Sequence, residues 1–319
     1  MRSVRYQPMR CERRTSRSAM LIAMFSLVAS CGMLSAAERP DRAAPPFGPW
    51  DPDTFFEQIF GKQTDAERRE LAKVEVALSD EQHVGKQALE AFLAELRRKR
   101  VRIVSRGPEV EYLRSLVAML RPRMRRADRY PSITVLLAES PETDAKCFPG
   151  GTLLVFRGML DFAESEAALV AVLAHELSHI DHGHQLRQLK AVRLAGQQTF
   201  APGNMEQFLN SGMVLGRLFA RPFQPEDETE ADADAAAWAY QSGYDPRELA
   251  RLFQRLQERG GQQRMVPAYF RTHPYHADRS AAVLRGYREL HAANPRDDLY
   301  IGRENLRRRV PRSRQEFPE

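Results

Sequence analysis

His175 and His179 flank Glu176 in the order His-Glu-Leu-Ser-His. On a helix, residues four apart share one face and lie one turn apart. Both imidazoles can then reach a single metal ion, with a carboxylate beside them to move protons. The pattern points to metal-assisted hydrolysis, with one Zn2+ per chain as the expected ion and Glu176 as the expected base. Five residues can match by chance, so the surroundings must support them. The run Ala167–Ala174 just before the motif is wholly apolar. It predicts a buried helix from about Ser165 to His184 that carries the motif.

Zinc in a hydrolytic site takes three protein ligands and leaves a position for water. Glu226, Asp227, Glu228, Glu230, Asp232 and Asp234 are all candidates for the third. Glu228 with Asp232 and Glu230 with Asp234 are both i, i+4 pairs, so either could place one carboxylate on zinc and a second behind a histidine. Spacing does not choose between them. These acids open a helix whose first-turn proline is Pro225 and whose stop is Gly243. Asp245-Pro246-Arg247-Glu248 reads as a capping box for the next helix, which is expected to end at Gly260-Gly261.

The remaining elements form an α+β pattern, mostly helical with a small sheet. Helical periodicity starts near Asp65 and continues through Leu71, Val74, Leu78, Leu89 and Leu96, and resumes over Glu109–Met124. Residues 132–138 and Thr152–Phe156 read as strands, joined through a turn at Pro149-Gly150-Gly151. Residues 186–220 read as helical with a break at Ala201–Asn204. The strand at Thr152 suits an extended peptide if it forms a sheet edge; otherwise it is a core strand.

The net charge of +6 at first suggests nucleic acid. Residues 1–30 hold six arginines against Glu12 alone, so five of the six net charges lie there. The basic runs Arg97–Arg100, Arg121–Arg126 and Arg307–Arg309 have no interleaved aromatics for base stacking and read as solvated faces. No nucleic-acid partner and no small-molecule cofactor is expected.

Residues 19–29 are apolar, follow the arginines, and are too short to span a bilayer. They read as a signal peptide over residues 1–30. Val28-Ala29-Ser30-Cys31 resembles a bacterial lipobox, which would make Cys31 a lipid anchor; Ser35-Ala36-Ala37 offers an ordinary cleavage site. Five prolines between residues 38 and 53 mark a tether over 31–64. A domain over 65–290 and a basic tail over 291–319, without fixed structure, would follow. Of the three cysteines, only Cys147 lies beyond the leader and lipobox, so no internal disulfide is expected. The bacterial periplasm is the expected compartment.

Five ordered stretches carry a resemblance. Asp144-Ala-Lys146-Cys147-Phe-Pro149-Gly150-Gly151 is similar to Asn-Ala-Phe-Ala-x-Pro-Gly-Gly. His175–His179 is followed by His184. Glu228-Thr-Glu230-Ala-Asp232 is similar to E-x-E-A-D, and Gly243-Tyr244-Asp245-Pro246 to Gly-Phe/Tyr-Asp-Pro. Thr272-His273-Pro274 with Arg279 is similar to T-H-P-x-x-x-x-R. The chain resembles the zinc metallopeptidase family of the CAAX prenyl protease, HtpX and the periplasmic protease BepA, without the tetratricopeptide domain of the last.

The resemblance implies a zincin-like (gluzincin) fold and an endopeptidase acting on unfolded or misassembled envelope polypeptides. It implies Glu228 as third ligand, Asp232 as its outer neighbour and Glu230 as a solvated acid. His184 is either an outer partner of the ligands or a structural histidine. His273, supported by Arg279, would donate to the oxyanion or cap the zinc and hold the enzyme latent. Gly150, Gly151, Thr152, Leu153 and Leu154 would bind substrate. Asp144 and Lys146 depart from the family's Asn and Phe, which bears on substrate pairing. A mainly non-proteolytic assembly factor on the same fold is the alternative function.

Overall fold

The computed structural model describes residues 69–71, 73–187, 189–191, 222–263, 266–275 and 278–319. The leader, Cys31, the tether and the break at Ala201–Asn204 lie outside the described residues. The elements in order are α1 (Leu78–Arg98), β1 (Ile103–Val104), α2 (Pro108–Leu120) with a 3-10 turn at Arg121–Arg123, β2 (Thr134–Ala138), β3 (Ala145–Phe148), β4 (Thr152–Phe156) and α3 (Arg157–Phe162). Then come α4 (Glu166–His182), α5 (Pro225–Gln241), α6 (Arg247–Gln263), α7 (Ala268–Thr272), α8 (Asp278–Ala293) and α9 (Arg303–Arg308). No described helix is long and apolar enough to cross a membrane.

The sheet runs β1-β2-β4-β3, with β2 and β4 parallel and both outer pairings antiparallel. Alternate residues serve two cores. Val135, Leu137, Leu153 and Val155 face the core that includes α2 and α4, while Leu136, Ala138, Leu154 and Phe156 face Ala88, Leu93 and Leu96 of α1. This placement corrects the reading of Thr152, Leu153 and Leu154 as a peptide-binding edge. β4 pairs with β2 on one side and β3 on the other, so it has no free backbone row. Its near-continuous apolar run is what burial on both faces requires. The edges are β1 and β3, and β3, next to β4, was hidden from a periodicity reading by its single lysine.

The motif helix α4 is buried from Glu166 to Asp181, and a helix apolar all round belongs in a core. Each of its buried Leu and Val side chains contributes about 1.5–3 kcal/mol. Gly183 ends it in the left-handed conformation at φ 68°, as a helix stop prefers. α5 packs against α4, and its Ala231, Ala235 and Ala239 are fully buried. Their small size lets the two axes approach closely enough for Glu228 and Asp232, on the same face, to reach the histidines.

The tail is the second correction. Rather than lacking structure, residues 300–319 cap α4. Glu166 N donates to Gly302 O at 3.1 Å and Ala167 N to Ile301 O at 2.9 Å. Ala168 N donates to Ser165 Oγ at 3.1 Å and Leu169 N to Ser165 O at 3.2 Å. The N–H groups of Glu166, Ala167 and Ala168, which have no helical partner, are thereby satisfied, and Leu169 N makes the first helical bond. Tyr300, Asn305 and Leu306 are buried.

Two smaller expectations change as well. Asp245 Oδ1 accepts from Arg247 N at 2.9 Å, but Glu248 does not reach back; it accepts from Ser165 Oγ at 2.8 Å and pairs with Arg251. The capping box is half formed because Asp245 N already donates to Tyr300 O at 3.0 Å. α6 also runs through Gly260-Gly261 to Gln263. Neither glycine takes a positive φ, and glycine without that turn only weakens a helix.

Candidate active site

His175, His179, Glu228 and His273 each bring one donor atom within 4.8 Å of the others, and all four side chains are buried. His175 Nε2 lies 2.9 Å from His179 Nε2 and 3.2 Å from His273 Nδ1. Glu228 Oε1 lies 3.5 Å from His179 Nε2 and 3.1 Å from His273 Nδ1, and its Oε2 lies 3.6 Å from His175 Nε2. Zinc bonds of about 2.0–2.2 Å in a tetrahedron put ligand atoms about 3.3 Å apart. Two imidazoles and a carboxylate at these spacings fit zinc, and His273 stands where a fourth ligand would. Burial pulls His179 well below its ordinary range and lowers His273 to about 4, so both rings keep a lone pair for a metal.

Behind the donors stands a charged layer. Asp232 Oδ1 lies 2.9 Å from His175 Nδ1. The buried Arg279 holds Asp232 through two bonds of 2.7 Å and reaches Glu228 Oε2 at 2.6 Å. Burial raises both carboxyls, but His273 and Arg279 carry Glu228 well below its ordinary range, and Arg279 carries Asp232 down. His184 Nδ1 meets His179 Nδ1 at 2.7 Å. Phe223 stacks on His179 with ring centres 3.8 Å apart, and Tyr269 stacks on His273 at 4.5 Å.

Glu176 has no well-formed hydrogen bond on either oxygen; His273 Nε2 stands 3.2 Å from its Oε1. Burial and the nearby Asp144 charge raise its pKa well above the usual carboxylate range, opposed by the Cys147 thiol and Lys146. Both opposing groups lie on β3. Lys146 Nζ bridges Asp144 Oδ2 at 3.3 Å and Thr272 Oγ1 at 3.1 Å, tying the edge strand to the residue before His273. Along β3, Ala145 N donates to Asp144 Oδ1 at 2.9 Å and Cys147 O accepts from Gln185 Nε2 at 2.6 Å.

The structure thus brings together His175, Glu176, His179, Glu228, Asp232, His184, His273 and Arg279. Arg279 reaches His273, which the resemblance has it support, and also the ligand Glu228 and Asp232 behind His175. Its guanidinium is consumed by Asp232, Glu228 and the carbonyls of His273 and Pro274, so it positions ligands and does not face a substrate carbonyl. Glu230 is half-exposed yet contacts His184, so it is more than a solvated acid. Gly150 and Gly151 form the β3–β4 turn at φ 80° and 88°. Gly150 N donates to the buried Glu81 at 2.9 Å. Sequence reasoning missed Tyr269, Phe223 and Glu81. Only Tyr269 carried a signal, four residues before His273, whose N donates to Tyr269 O at 3.0 Å.

Fold and site together define a zincin-like metallopeptidase domain. The profile of the family named Peptidase family M48 matches residues 111–286, more than half of the chain, and the chain belongs to that family. It is 30% identical over 168 residues to the mitochondrial metalloendopeptidase OMA1 of Schizosaccharomyces pombe, covering 50% of this chain and 48% of that one. It is 30% identical over 171 residues to OMA1 of Arabidopsis thaliana, covering 50% and 34%. With the beta-barrel assembly-enhancing protease of Escherichia coli K12 it shares 25% identity over 182 residues, covering 52% and 37%. The matched stretches span half or less of these relatives.

Proposed function

We propose that this chain cleaves internal peptide bonds of unfolded or misassembled polypeptides in the bacterial cell envelope, and that His273 holds it latent. The observation that carries the latent state is the His273 ring, with Nδ1 among the three ligand side chains and Nε2 against the base. The envelope assignment is supported by the arginine-led apolar run, the Val28–Cys31 lipobox that would tether the chain through lipid, and the beta-barrel assembly-enhancing protease of Escherichia coli among its relatives.

His175, His179 and Glu228 would hold zinc. When bound, zinc supplies a Lewis acid for the scissile carbonyl and lowers the pKa of water. Glu176 takes a proton from the attacking water and returns it to the leaving amine. Once His273 swings from the ligands, its ring donates a hydrogen bond to the carbonyl oxygen as charge develops there. An extended substrate pairs with the outer edge of β3, replacing Asp144 on Ala145 N and Gln185 on Cys147 O.

The test is cleavage of an unfolded protein by the full chain with one zinc equivalent. Loss of cleavage in Glu176→Gln with zinc retained supports the reading. Absence of cleavage by both wild type and His273→Ala would favour the non-proteolytic assembly factor. Membrane fractionation of a Cys31→Ser chain tests the tether.

A further inference from the structure

A second cluster of metal-binding side chains lies one helical turn beyond the first. His182, His184 and Glu230 place one donor atom each within 4.8 Å of the others. Glu230 Oε2 lies 3.1 Å from His184 Nε2 and 3.5 Å from His182 Nδ1. These spacings bracket the roughly 3.3 Å that a tetrahedral ion imposes on its ligands. The rest of the His182 ring is already oriented: its Nε2 lies 2.8 Å from Asp234 Oδ2, which also accepts from Ser178 Oγ at 2.8 Å. A carboxylate behind a ligating histidine fixes the tautomer that leaves the other nitrogen free for metal. Glu230 is half-exposed, so an ion can enter from solvent.

We propose that His182 Nδ1, His184 Nε2 and Glu230 Oε2 form a second, weaker cation site, and that filling it opposes zinc at His179. Two imidazoles and one carboxylate favour Zn2+, Ni2+ or Cu2+ over Mg2+ or Ca2+. Charge sets the affinity. Asp227, Glu230 and Asp234 supply three negative charges, while Arg187 pairs with Asp227 at 2.9 Å and lies 3.5 Å from Glu230 Oε2. The exposed Arg125 lies 3.0 Å from His182 Nε2 and 3.4 Å from its Nδ1, so an ion must displace both arginines from the ligand atoms. One net negative charge at a solvent-facing site binds an ion less tightly than the buried catalytic cluster.

The opposition follows from one proton. His179 Nδ1 and His184 Nδ1 are 2.7 Å apart, so one of them donates and the other accepts. A metal on His179 Nε2 leaves a neutral ring with its hydrogen on Nδ1. A metal on His184 Nε2 requires the same of that ring. With both sites filled, two N–H groups face each other, and the hydrogen bond that orients His179 becomes a repulsion. The second ion therefore weakens the hold on the first.

The cation site stands on its own ligands; only an effect on cleavage rests on the peptidase reading. Equilibrium dialysis of the full chain against increasing Zn2+ is expected to give two equivalents in wild type, one tight and one weak. His182→Ala and Glu230→Gln are expected to keep only the tight one. Release of the tight zinc to a chelator is expected to quicken several-fold when the weak site is filled, in wild type but not in the variants. Cleavage by wild type, where observed, falls in excess Zn2+ while that of the variants does not. One equivalent in wild type, or two in both variants, overturns the site. Two equivalents with an unchanged release rate overturn the coupling. Two equivalents without any cleavage leave the site standing and sink the peptidase reading instead.

Discussion

His273 Nε2 stands 3.2 Å from Glu176 Oε1. One imidazole thus closes the site twice, at the ligand cluster through Nδ1 and at the base through Nε2. Its main chain is held by Arg279, which donates to His273 O at 3.2 Å, and its ring by the stack on Tyr269. Replacing His273 by Ala empties that position without touching a ligand. Proteolysis of an unfolded substrate is expected to rise, while a donor role alone would make it fall. Equal rates for variant and wild type, together with equal release of zinc to a chelator, would overturn the latent role. Zinc content measured alongside separates a change in rate from loss of metal.

Glu176 makes a prediction about stability as well as rate. Glu176→Gln is expected to cut cleavage by about 10²–10⁴-fold, the usual worth of a general base. In the metal-free chain its carboxyl titrates well above 4.5 because burial and Asp144 disfavour its charge. A folded-state pKa above the unfolded value means that the folded form binds the proton more tightly. That stability is fully present below the unfolded value and lost as pH rises through the raised one. Thermal melts of the chelated protein should therefore lose stability over that upper range in wild type, and Glu176→Gln should flatten the loss. A variant that melts lower than wild type at neutral pH would contradict this.

Arg279 neutralises two buried carboxylates at once. Its removal leaves Asp232 and Glu228, 2% and 0% exposed, without their cation. Breaking a buried pair in this way costs about 3–5 kcal/mol. Arg279→Lys restores the charge but not the two-pronged contact with Asp232, so it should recover only part of the loss. Denaturant unfolding of the metal-free protein measures this. Zinc affinity should fall by about 10–100-fold, as it does when partners behind metal ligands are lost. An Arg279→Ala chain with wild-type stability and zinc affinity would refute the positioning role.

Much of the site was legible because its chemistry is local in sequence. His175, Glu176 and His179 share one helix turn, and Glu228 with Asp232 share another. The long-range partners were not. Phe223 reaches His179, and Glu81 holds the Gly150 turn from 69 residues away, through tertiary contacts that no local spacing encodes. The strand error has a similar cause. Thr152–Phe156 reads as a strand by composition, but whether it is an edge depends on where β2 and β3 pair. The tail was misread from its arginines and prolines: the arginines are exposed or paired, while Tyr300, Asn305 and Leu306 do the packing.

That tail gives the last prediction. Gly302 has φ +74°, and a Cβ there would lie 2.9 Å from Glu166 Cβ and 2.9 Å from Tyr300 Cε1. Its carbonyl caps the first N–H of the helix that carries His175 and His179. Gly302→Ala imposes both backbone strain and a clash, at a cost of about 1–3 kcal/mol, and shifts a cap of the active-site helix. Gly261→Ala is the matched control. It sits inside α6 with nothing within 4 Å of the new methyl, so it should stabilise by about 0.8–1 kcal/mol through helix propensity. Opposite shifts in melting temperature are expected, with zinc content lowered only in Gly302→Ala. A truncation after Arg296 should reproduce the Gly302→Ala direction with larger size. If that truncation melts like wild type, the tail does not support α4.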